Sequence, residues 1–394
     1  MADMILEPLS ELTEYMAKGI APKYTEEDSE NAIYVLNQKC NRDYKISYET
    51  VRLHDLRKKK VPEERYVQKY DVLINSTGTG TAGRVAQMME VADPTTVDGH
   101  MIILRNNEKI DPLYYGYAVK SHQPEIEGLA EGSTGQTEIN KKRLMDEIII
   151  SYPKDLDEQR KISTFLYEID QKIELNNDIN KNLEQQAKAL YKDWFFDFSP
   201  FSSGGNLPDG WRLGTVGDII QLHDSKRVPL SGAERDNMAK VYPYYGATSL
   251  MDYVDNYLFD GVYLLLGEDG TVVDSLGFPI LQYVYGQFWV NNHAHIITGK
   301  EGFSVEELYL FFSLTNIKSI VTGAVQQKVS QQNLKKVPAI IPSKQALGAF
   351  DEIIQPIFAQ IRNLRDENTN LAQLRNTLLP KLMSGELDVS DIDL

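Results

Sequence analysis

Two long stretches of the chain carry the same heptad pattern of apolar positions, the first from about residue 157 to 196 and the second from about 344 to 384. The seam of the first stretch comprises Ile162, Phe165, Ile169, Ile173, Asn176, Asn180, Leu183, Ala187, Leu190 and Trp194. The seam of the second comprises Phe350, Ile354, Ile357, Ile361, Leu364, Asn368, Leu371, Leu378 and Leu382, and Arg375 interrupts it. Positions that recur at steps of three and four predict two long helices that pack side by side along their length.

The two stretches superimpose at a single offset, which indicates an internal duplication. Residues 173, 183 and 190 align with 361, 371 and 378, each at an offset of 188. Asn180 aligns with Asn368, so a polar residue occupies the seam in both copies, where it fixes the helix register at some cost in packing. Two unrelated amphipathic helices are the alternative, but the shared offset and the shared polar position favour duplication.

The length of the repeat constrains how the two helices are arranged. A helix of roughly 40 residues is about 60 Å long. The roughly 140 residues between the helices would form a globule only about 37 Å across, which cannot easily carry the chain back along the first helix. We therefore expect the second helix to begin where the first ends and to run antiparallel to it. Duplicated halves then predict a pseudo-twofold molecule with two globules at opposite ends of a helical rod.

The segments outside the heptads read as two mixed α/β globules, so the predicted fold class is α+β. The predicted parts are a globule at 1–152, a helix at 153–199, a second globule at 200–342, and a helix with a short tail at 343–394. Predicted strands lie at 31–36, 72–75, 100–104, 147–150, 263–266, 280–284 and 294–298. Short helices are predicted near 8–12 and 216–222, a flexible linker at 202–206, and a frayed acidic tail that ends at Leu394.

Composition and charge describe an ordinary globular protein with an acidic balance. Of 394 residues, 42% are hydrophobic and 25% are charged, and the formal net charge is −16. The single cysteine, Cys40, excludes internal disulfides and multi-cysteine zinc sites and suits a reducing compartment. Neither a signal-peptide pattern nor a membrane span is recognisable, so we expect a cytoplasmic protein without membrane contact.

The net charge disfavours a lone nucleic-acid binder, although local basic patches matter more than the sum. Basic clusters occur outside the long helices in both halves, and each taken alone is compatible with solvated loop charge. Their placement favours DNA binding. The candidate DNA-binding residues are Lys58, Lys59, Lys60, Lys141, Lys142, Arg143, Lys226, Arg227, Lys328, Lys335 and Lys336.

A glycine-rich stretch at 78–83 (GTGTAG) matches the dinucleotide-binding fingerprint, with Asp98 about 20 residues beyond its first glycine. The segment that follows is short and is cut off by Pro94, and the aligned stretch 267–270 lacks the third glycine, so we expect no cofactor there. A turn that offers amides and hydroxyls to phosphate fits better, which adds Thr77, Thr79 and Arg84 to the candidate DNA-binding residues. A plain hairpin turn remains open.

Motifs for catalysis are not assembled in the sequence. His293 and His295 would lie on one face of a strand and could bind a metal, but no third ligand has convincing spacing, so structural histidines are favoured. The chain lacks a phosphate-binding loop, a nucleophile elbow and the Asp/Asn-Pro-Pro-aromatic signature of amino-methyltransferases. The sequence therefore predicts a binding protein without a catalytic or metal site.

Short motifs in order along the chain resemble the specificity subunits of type I restriction-modification enzymes. The second half carries residues 207–211 (LPDGW), 242–247 (YPYYGA), 264–270 (LLLGEDG), 288–295 (FWVNNHAH) and 378–386 (LLPKLMSGE). The first half carries 158–162 (EQRKI) and 172–177 (KIELNN), which resemble the central conserved region of that family. The resemblance covers nearly the whole chain and is weakest over about 20–150.

The resemblance implies two target recognition domains, each reading one half of a bipartite site in double-stranded DNA, joined by the two long helices as an antiparallel coiled-coil pair. It implies two methyltransferase subunits on the helices and restriction-translocase subunits in the complete enzyme. Those partners would use S-adenosylmethionine, ATP and magnesium, whereas this chain would hold no cofactor and would not be an enzyme. The main alternative is a coiled-coil protein-interaction scaffold that binds no DNA, which the net charge favours.

Overall fold

A computed structural model describes residues 3–92, 94–132, 137–201, 204, 206–323 and 326–387. Most of the predicted linker at 202–206 and the predicted tail from 388 onward lie outside these residues. The chain divides into two compact units. Unit 1 comprises Met1–Glu174 with Glu367–Leu394, and unit 2 comprises Leu175–Asp366.

Unit 1 contains fourteen of the described strands and four short helices. The strands are β1 (Met4–Pro8), β2 (Thr13–Lys18), β3 (Tyr24–Thr25), β4 (Ala32–Leu36), β5 (Asn41–Arg42), β6 (Lys45–Ile46), β7 (Arg52–Asp55), β8 (Val72–Asn75), β9 (Val85–Gln87), β10 (Thr95–Val97), β11 (Met101–Asn106), β12 (Ala130–Glu131), β13 (Glu138–Ile139) and β14 (Ile149–Pro153). The helices are α1 (Leu9–Leu12), α2 (Pro112–Ser121), α3 (Gln123–Gly128) and α4 (Lys141–Glu147), and the long helix α5 (Leu156–Phe195) follows.

Unit 2 contains ten of the described strands and four short helices. The strands are β15 (Arg212–Thr215), β16 (Ile220–Leu222), β17 (Tyr242–Tyr245), β18 (Leu250–Val254), β19 (Phe259–Asp260), β20 (Tyr263–Gly267), β21 (Leu281–Val284), β22 (Gln287–Val290), β23 (Ala294–Gly299) and β24 (Pro338–Ile341). The helices are α6 (Val216–Ile219), α7 (Gly232–Asp236), α8 (Val305–Leu314) and α9 (Gln331–Leu334), and the long helix α10 (Lys344–Met383) follows.

The two units share one sheet topology, which supports the predicted duplication. Unit 1 has a sheet of order β2-β11-β8-β9 and an antiparallel pair β1-β14, and unit 2 has β16-β23-β20-β21 and β15-β24. Each unit also has a second sheet built around one parallel pair, β10 with β4 and β22 with β17. These second sheets end differently: β3 extends the first beside β7, whereas β19 extends the other beside β22. The first sheet, which we call the core sheet (β2-β11-β8-β9 in unit 1 and β16-β23-β20-β21 in unit 2), is therefore common to both units. The outer strands of the second sheets have diverged.

The long helices match the heptad prediction closely, and within each unit their segments run antiparallel. In unit 1, Lys172 pairs with Glu367 at 3.6 Å, and Asp170 pairs with Arg375. In unit 2, the guanidinium of Arg365 lies 2.9 Å from Glu184, and the ring of Phe350 lies 5.6 Å from that of Tyr191. In both units the partner numbers fall along α10 as they rise along α5, so the antiparallel prediction is confirmed.

Arg375, which interrupts the apolar seam in the sequence, has a polar counterpart across the helix pair. Its guanidinium contacts Asp170, and the same carboxylate accepts a hydrogen bond from the Tyr117 hydroxyl at 2.8 Å and lies 3.4 Å from the Lys120 ammonium. Two cations and a phenol around one carboxylate form a compensated polar layer, which fixes register as a buried polar seam residue does.

Several predicted elements need correction. Residues 147–150 do not form one strand, because α4 ends at Glu147 and β14 begins at Ile149. The helix predicted at 216–222 ends at Ile219, and the chain continues as strand β16. Helices α2 and α8 were not predicted. Helix α2 carries Tyr114, Tyr115 and Gly116 in its middle, residues of modest helix propensity, and it is stabilised by the burial of both tyrosines in the core.

Helix α8 buries a carboxyl group in the core of unit 2. Ser304 and Glu307 form a capping box in which the Ser304 N–H donates to Glu307 Oε2 at 2.7 Å. The other oxygen, Oε1, is buried without a hydrogen-bond partner among the described residues. Burial raises the pKa of Glu307 to about 8, the Ser304 hydrogen bonds oppose the shift, and the charges of Asp351 and Glu306 add to it.

We expect this carboxyl group to make unit 2 less stable as the pH rises. The unfolded chain releases the Glu307 proton near pH 4.5 and the folded chain near pH 8, so the free energy of unfolding falls between those values at up to about 1.4 kcal/mol per pH unit. Glu307→Gln keeps an oxygen for the Ser304 amide and removes the titration. Denaturant midpoints measured from pH 5 to 9 by tryptophan fluorescence should be flatter in the variant than in the wild type. Equal pH dependence in both would contradict the assignment.

Candidate nucleic-acid interface

His100 lies at the end of the core sheet of unit 1, immediately before β11. The backbone N–H of His100 donates to Asp98 Oδ1 at 2.9 Å, and its carbonyl accepts from the Ser76 N–H at 2.8 Å. Its ring Nδ1 lies 2.9 Å from Thr77 Oγ1, in the glycine-rich loop that follows β8. The histidine is exposed, and its backbone is fixed by two hydrogen bonds.

The same arrangement occurs in unit 2 immediately before β23. The backbone N–H of His293 donates to Asn291 Oδ1 at 2.8 Å, and its carbonyl accepts from the Glu268 N–H at 2.8 Å. Its ring Nδ1 lies 2.6 Å from Asp269 Oδ1. His293 is also exposed. We call these two arrangements the histidine frames: Ser76, Thr77, Asp98 and His100 in unit 1, and Glu268, Asp269, Asn291 and His293 in unit 2.

A third segment closes each frame with a charged residue. Thr77 forms a β-bridge with Glu138, and Asp269 forms one with Lys328. Glu138 and Lys328 are separated by 190 positions and the two histidines by 193, so the frames are equivalent in the two units. The backbone geometry is thus duplicated, whereas the residue bridged to Thr77 or Asp269 changes from Glu138, which pairs with Lys18, to Lys328, which pairs with Glu268.

In unit 1 the structure places two groups of predicted DNA-binding residues near each other, because Thr77 of the first group forms the β-bridge with Glu138, close in sequence to the second group. Thr77, Thr79 and Arg84 lie in the loop between β8 and β9, where Thr79 is exposed and Arg84 donates to the Gly80 carbonyl at 3.2 Å. The second group begins three residues after Glu138, at the N-terminus of α4, and consists of Lys141, Lys142 and Arg143. The Arg143 guanidinium lies 2.8 Å from Glu131 and 2.7 Å from Glu147, so its charge is largely balanced, while Lys142 is exposed.

The third group, Lys58, Lys59 and Lys60, lies in the loop that follows β7 of the second sheet. All three side chains are exposed. Lys58 lies 3.7 Å from Asp55, and the Lys59 ammonium donates to the Ala21 carbonyl at 3.0 Å. These long side chains remain available to a partner, because surface ion pairs of this kind are weak.

In unit 2 the predicted residues have different environments. Lys226 is exposed, whereas Arg227 donates to Glu268 Oε2 at 2.6 Å and to the carbonyls of Asn292 and Ala294. Lys328 lies 3.4 Å from the same Glu268, so the structure joins Lys328 and Arg227 through one carboxylate. Lys335 and Lys336 are exposed just beyond α9, and the Lys335 carbonyl accepts from Gly217.

Asp224, Glu268 and His295 are close enough to offer three ligand atoms to a metal ion, all within 4.8 Å of one another. Their hydrogen bonds indicate a structural network instead. His295 is fully buried between Asp224 Oδ2 and the Val329 carbonyl, Arg227 donates to Glu268, and Gln331 donates to Asp224. Burial acts to raise the pKa of Asp224, but its hydrogen bond with His295 and the nearby charges hold it below its usual range.

The glycine-rich loop and the histidine pair do not have the geometry that the competing motifs require. The loop leads from β8 into strand β9, whereas a dinucleotide fingerprint needs a helix at that point. His293 is exposed and His295 is buried, so the two imidazoles do not face one ligand. The loop instead supplies Thr77 to the first histidine frame.

Three of the sequence motifs of the second half meet at one cavity of about 370 Å³. Its lining includes Gly246, Thr248 and Ser249 from the turn between β17 and β18, Asp269 from the segment after β20, and Asn291 with His293. The second histidine frame thus borders a cavity in unit 2. Outside the frame, the lining comes from the second sheet, whose outer strands differ between the units.

A family model described as the type I restriction modification DNA specificity domain matches residues 8–185 and 208–377. The chain belongs to this family. The specificity subunit of the type I restriction enzyme MjaIX from Methanocaldococcus jannaschii is 27% identical over 319 residues, covering 74% of this chain and 72% of that protein. A putative type I restriction enzyme specificity subunit from Haemophilus influenzae is 31% identical over 125 residues, covering 32% of this chain and 31% of that protein.

A solved structure has the same fold. The type I restriction-modification S subunit from M. genitalium superimposes with a TM-score of 0.55 at 16% sequence identity, covering 97% of this chain and 96% of that one. As a type I specificity subunit, this chain is a recognition component and not a catalyst, and it assembles with other subunits of its system and with DNA. Within the described residues, no helix has the length and apolarity of a membrane span.

The sequence alone did not point to His100, and it suggested His293 only as a metal candidate. A signal was present in the chain. Residues 98–100 (DGH) and 291–293 (NNH) share an acidic or amide residue two positions before a histidine, and both precede a strongly apolar strand. Basic clusters are frequent on DNA-binding surfaces, whereas a single exposed histidine is not distinctive in a sequence without its spatial neighbours.

Proposed function

We propose that this chain sets the target of its type I complex by placing unit 1 and unit 2 on the two halves of a bipartite site in double-stranded DNA. The observation that carries the proposal is duplication with divergence. Both units retain the core sheet and the histidine frame, yet their outer strands and the residues around the frames differ. Two related scaffolds with different surfaces suit two different sequences.

The long helices are proposed to hold the catalytic partners, two methyltransferase subunits, with restriction-translocase subunits in the complete enzyme. Apolar side chains that stay exposed on α5 and α10 support such contacts, including Leu175 at 54%, Leu374 at 46% and Ile353 at 40%. Exposed apolar surface on a packed helix is typical of an interaction face. S-adenosylmethionine, ATP and magnesium would then be used by the partners, and this chain would need no cofactor of its own.

Sequencing of methylated bases in host DNA, with and without this gene, tests the proposed function. The wild type should show one bipartite motif with an unread gap, and deletion should remove it. A scaffold that binds no DNA would leave methylation unchanged. It would also give no sequence-dependent retardation of duplex DNA when mixed with its methyltransferase partner.

Reversing Lys58, Lys59 and Lys60 to glutamate should weaken DNA binding by the assembled complex. Each phosphate contact contributes about 0.9 to the slope of log K against log salt. Loss of two or three contacts should therefore reduce that slope by about 2 to 3, as measured by titration at several salt concentrations. Lys109→Glu is the control, because Lys109 lies beside Glu7 and Glu11 in the same unit. An unchanged slope in the triple variant would remove this loop from the interface.

A further inference from the structure

The two histidine frames have the same backbone hydrogen bonds but different partners at the imidazole. The bonds that fix His100 and His293 use only their backbone N–H and C=O groups, which any residue could supply. The imidazoles themselves are exposed, and no partner of either Nε2 atom is recorded among the described residues. The fold therefore does not need these rings, although it holds both of them in the same place.

In unit 2 the partner of the ring fixes the proton on Nδ1. Asp269 is a carboxylate and can only accept, so His293 Nδ1, 2.6 Å away, carries the hydrogen. In the neutral ring the other nitrogen, Nε2, then presents a lone pair to the outside. His293 is therefore oriented as a hydrogen-bond acceptor.

In unit 1 a glutamine donates to the partner of the ring, which allows the opposite polarity. The Gln38 amide lies 2.6 Å from both the Thr77 carbonyl and Thr77 Oγ1. The carbonyl can only accept, so the amide must present Nε2, whose second hydrogen reaches Oγ1. Thr77 Oγ1 thus accepts one hydrogen bond, and its own hydrogen can be donated to His100 Nδ1, which lies 2.9 Å away. In that arrangement Nδ1 is the acceptor, so the neutral His100 ring carries its hydrogen on Nε2 and presents a donor.

We propose that His100 and His293 contact DNA at equivalent places in the two units with opposite hydrogen-bond polarity, which Thr77 and Asp269 set. The inference rests on the proposed assignment of the units to two half-sites. Phosphate oxygens only accept, so the lone pair of His293 has hydrogen-bond donors on duplex DNA only at base amino groups. In the major groove these are adenine N6 and cytosine N4.

His100 presents an N–H and needs an acceptor, such as guanine O6 or N7, thymine O4 or a phosphate oxygen. The charged residue bridged to each frame is already paired, Glu138 with Lys18 and Lys328 with Glu268 at 3.4 Å, so the polarity of each contact is left to the imidazole. Asp269 and Thr77 act as positioning residues, because they act through the rings.

The test uses the full chain assembled with its methyltransferase subunits. Binding is measured on duplexes in which each base pair of the half-sites is varied, and the methylated motif is read by sequencing. His293→Ala should lose discrimination at one base pair of one half-site by about 5- to 150-fold, the range for a base-edge contact. Asp269→Thr, which frees the Nδ1 proton, should relax the same base pair although the histidine is present. Ser275→Ala, an exposed change in unit 2, is the control and should change neither measurement.

Thr77→Asp tests the proposal most strictly, because it places in unit 1 the carboxylate that Asp269 provides in unit 2. The His100 ring should become an acceptor, and the preference at its base pair should move from a base that presents an acceptor to one that presents an amino group. Variants that fold as the wild type does but keep its motif and affinities would overturn the proposal. Equal weakening on all sequences with a smaller salt slope would also overturn it, because that pattern identifies phosphate contacts. A wild-type complex that methylates no defined sequence would instead remove the proposed function and this inference with it.

Discussion

Replacing Phe350 with alanine is expected to lower the stability of unit 2 by about 3–5 kcal/mol, the usual range for emptying a buried phenylalanine site. The Phe350 side chain is 0% exposed. Its ring lies 4.9 Å from that of Phe195, 5.3 Å from Trp194 and 5.6 Å from Tyr191, all on α5. One residue of α10 thus joins three aromatic side chains of the antiparallel helix, and its removal leaves a cavity that rigid rings fill poorly.

Tryptophan fluorescence makes the Phe350→Ala experiment report on the unfolding of unit 2 alone. The three tryptophans of the chain, Trp194, Trp211 and Trp289, all belong to unit 2. Trp194 contacts Phe350 directly, so the denaturant midpoint of the fluorescence transition should fall in the variant. Phe196→Ala is the control, because Phe196 follows α5 directly and is 45% exposed. It should change stability by about 0.5 kcal/mol or less. Equal effects of the two variants would show that the aromatic cluster does not stabilise unit 2.

The long helices could be predicted from the sequence almost to the residue because a heptad repeated over 40 positions is a strong periodic signal. The central strands were also predictable, since residues 72–75 and 263–266 are short apolar runs bounded by turn residues. Of the second sheets, only β4 was predicted, at 31–36. Strand β17 contains Pro243, which weakens a strand prediction, and β3, β10 and β19 are only two or three residues long. Pairing with distant strands, not local pattern, determines these elements.

The candidate site was less predictable because charge in the sequence does not reveal charge balance in space. Arg143 looked like part of a basic cluster, but Glu131 and Glu147 lie on either side of its guanidinium. The glycine-rich loop matches a cofactor fingerprint only in its residue letters, and strand β9 follows it where that fingerprint needs a helix. The histidine frames depend on residues about 20 positions apart along the chain, such as Thr77 and His100. Only the pairing of β8 with β11 brings these residues together.

Arg227→Ala should lower the free energy of unfolding of unit 2 by about 3–5 kcal/mol, because it removes the buried cation shared by Asp224 and Glu268 and leaves Glu268 with only the exposed Lys328. The Arg227 side chain is 13% exposed and contacts Glu268 at 2.6 Å and Asp224 at 3.7 Å. Such burial gives Arg227 a structural role that competes with its predicted contact to DNA. Fluorescence-detected denaturation and DNA titration of the same variant separate the two roles.

The neighbouring lysine supplies the matched control for Arg227. Lys226 is exposed, so Lys226→Ala should leave the denaturant midpoint within about 0.5 kcal/mol of the wild type. Adding Glu268→Gln to Arg227→Ala should restore part of the lost stability, since the second change removes a partly buried charge that has lost one of its two cations. If Arg227 contacts DNA instead, Arg227→Ala should keep the wild-type midpoint while weakening binding and reducing its salt slope. A normal midpoint together with a reduced slope would therefore return Arg227 to the interface and contradict its role as the cation of the Asp224–Glu268–His295 network.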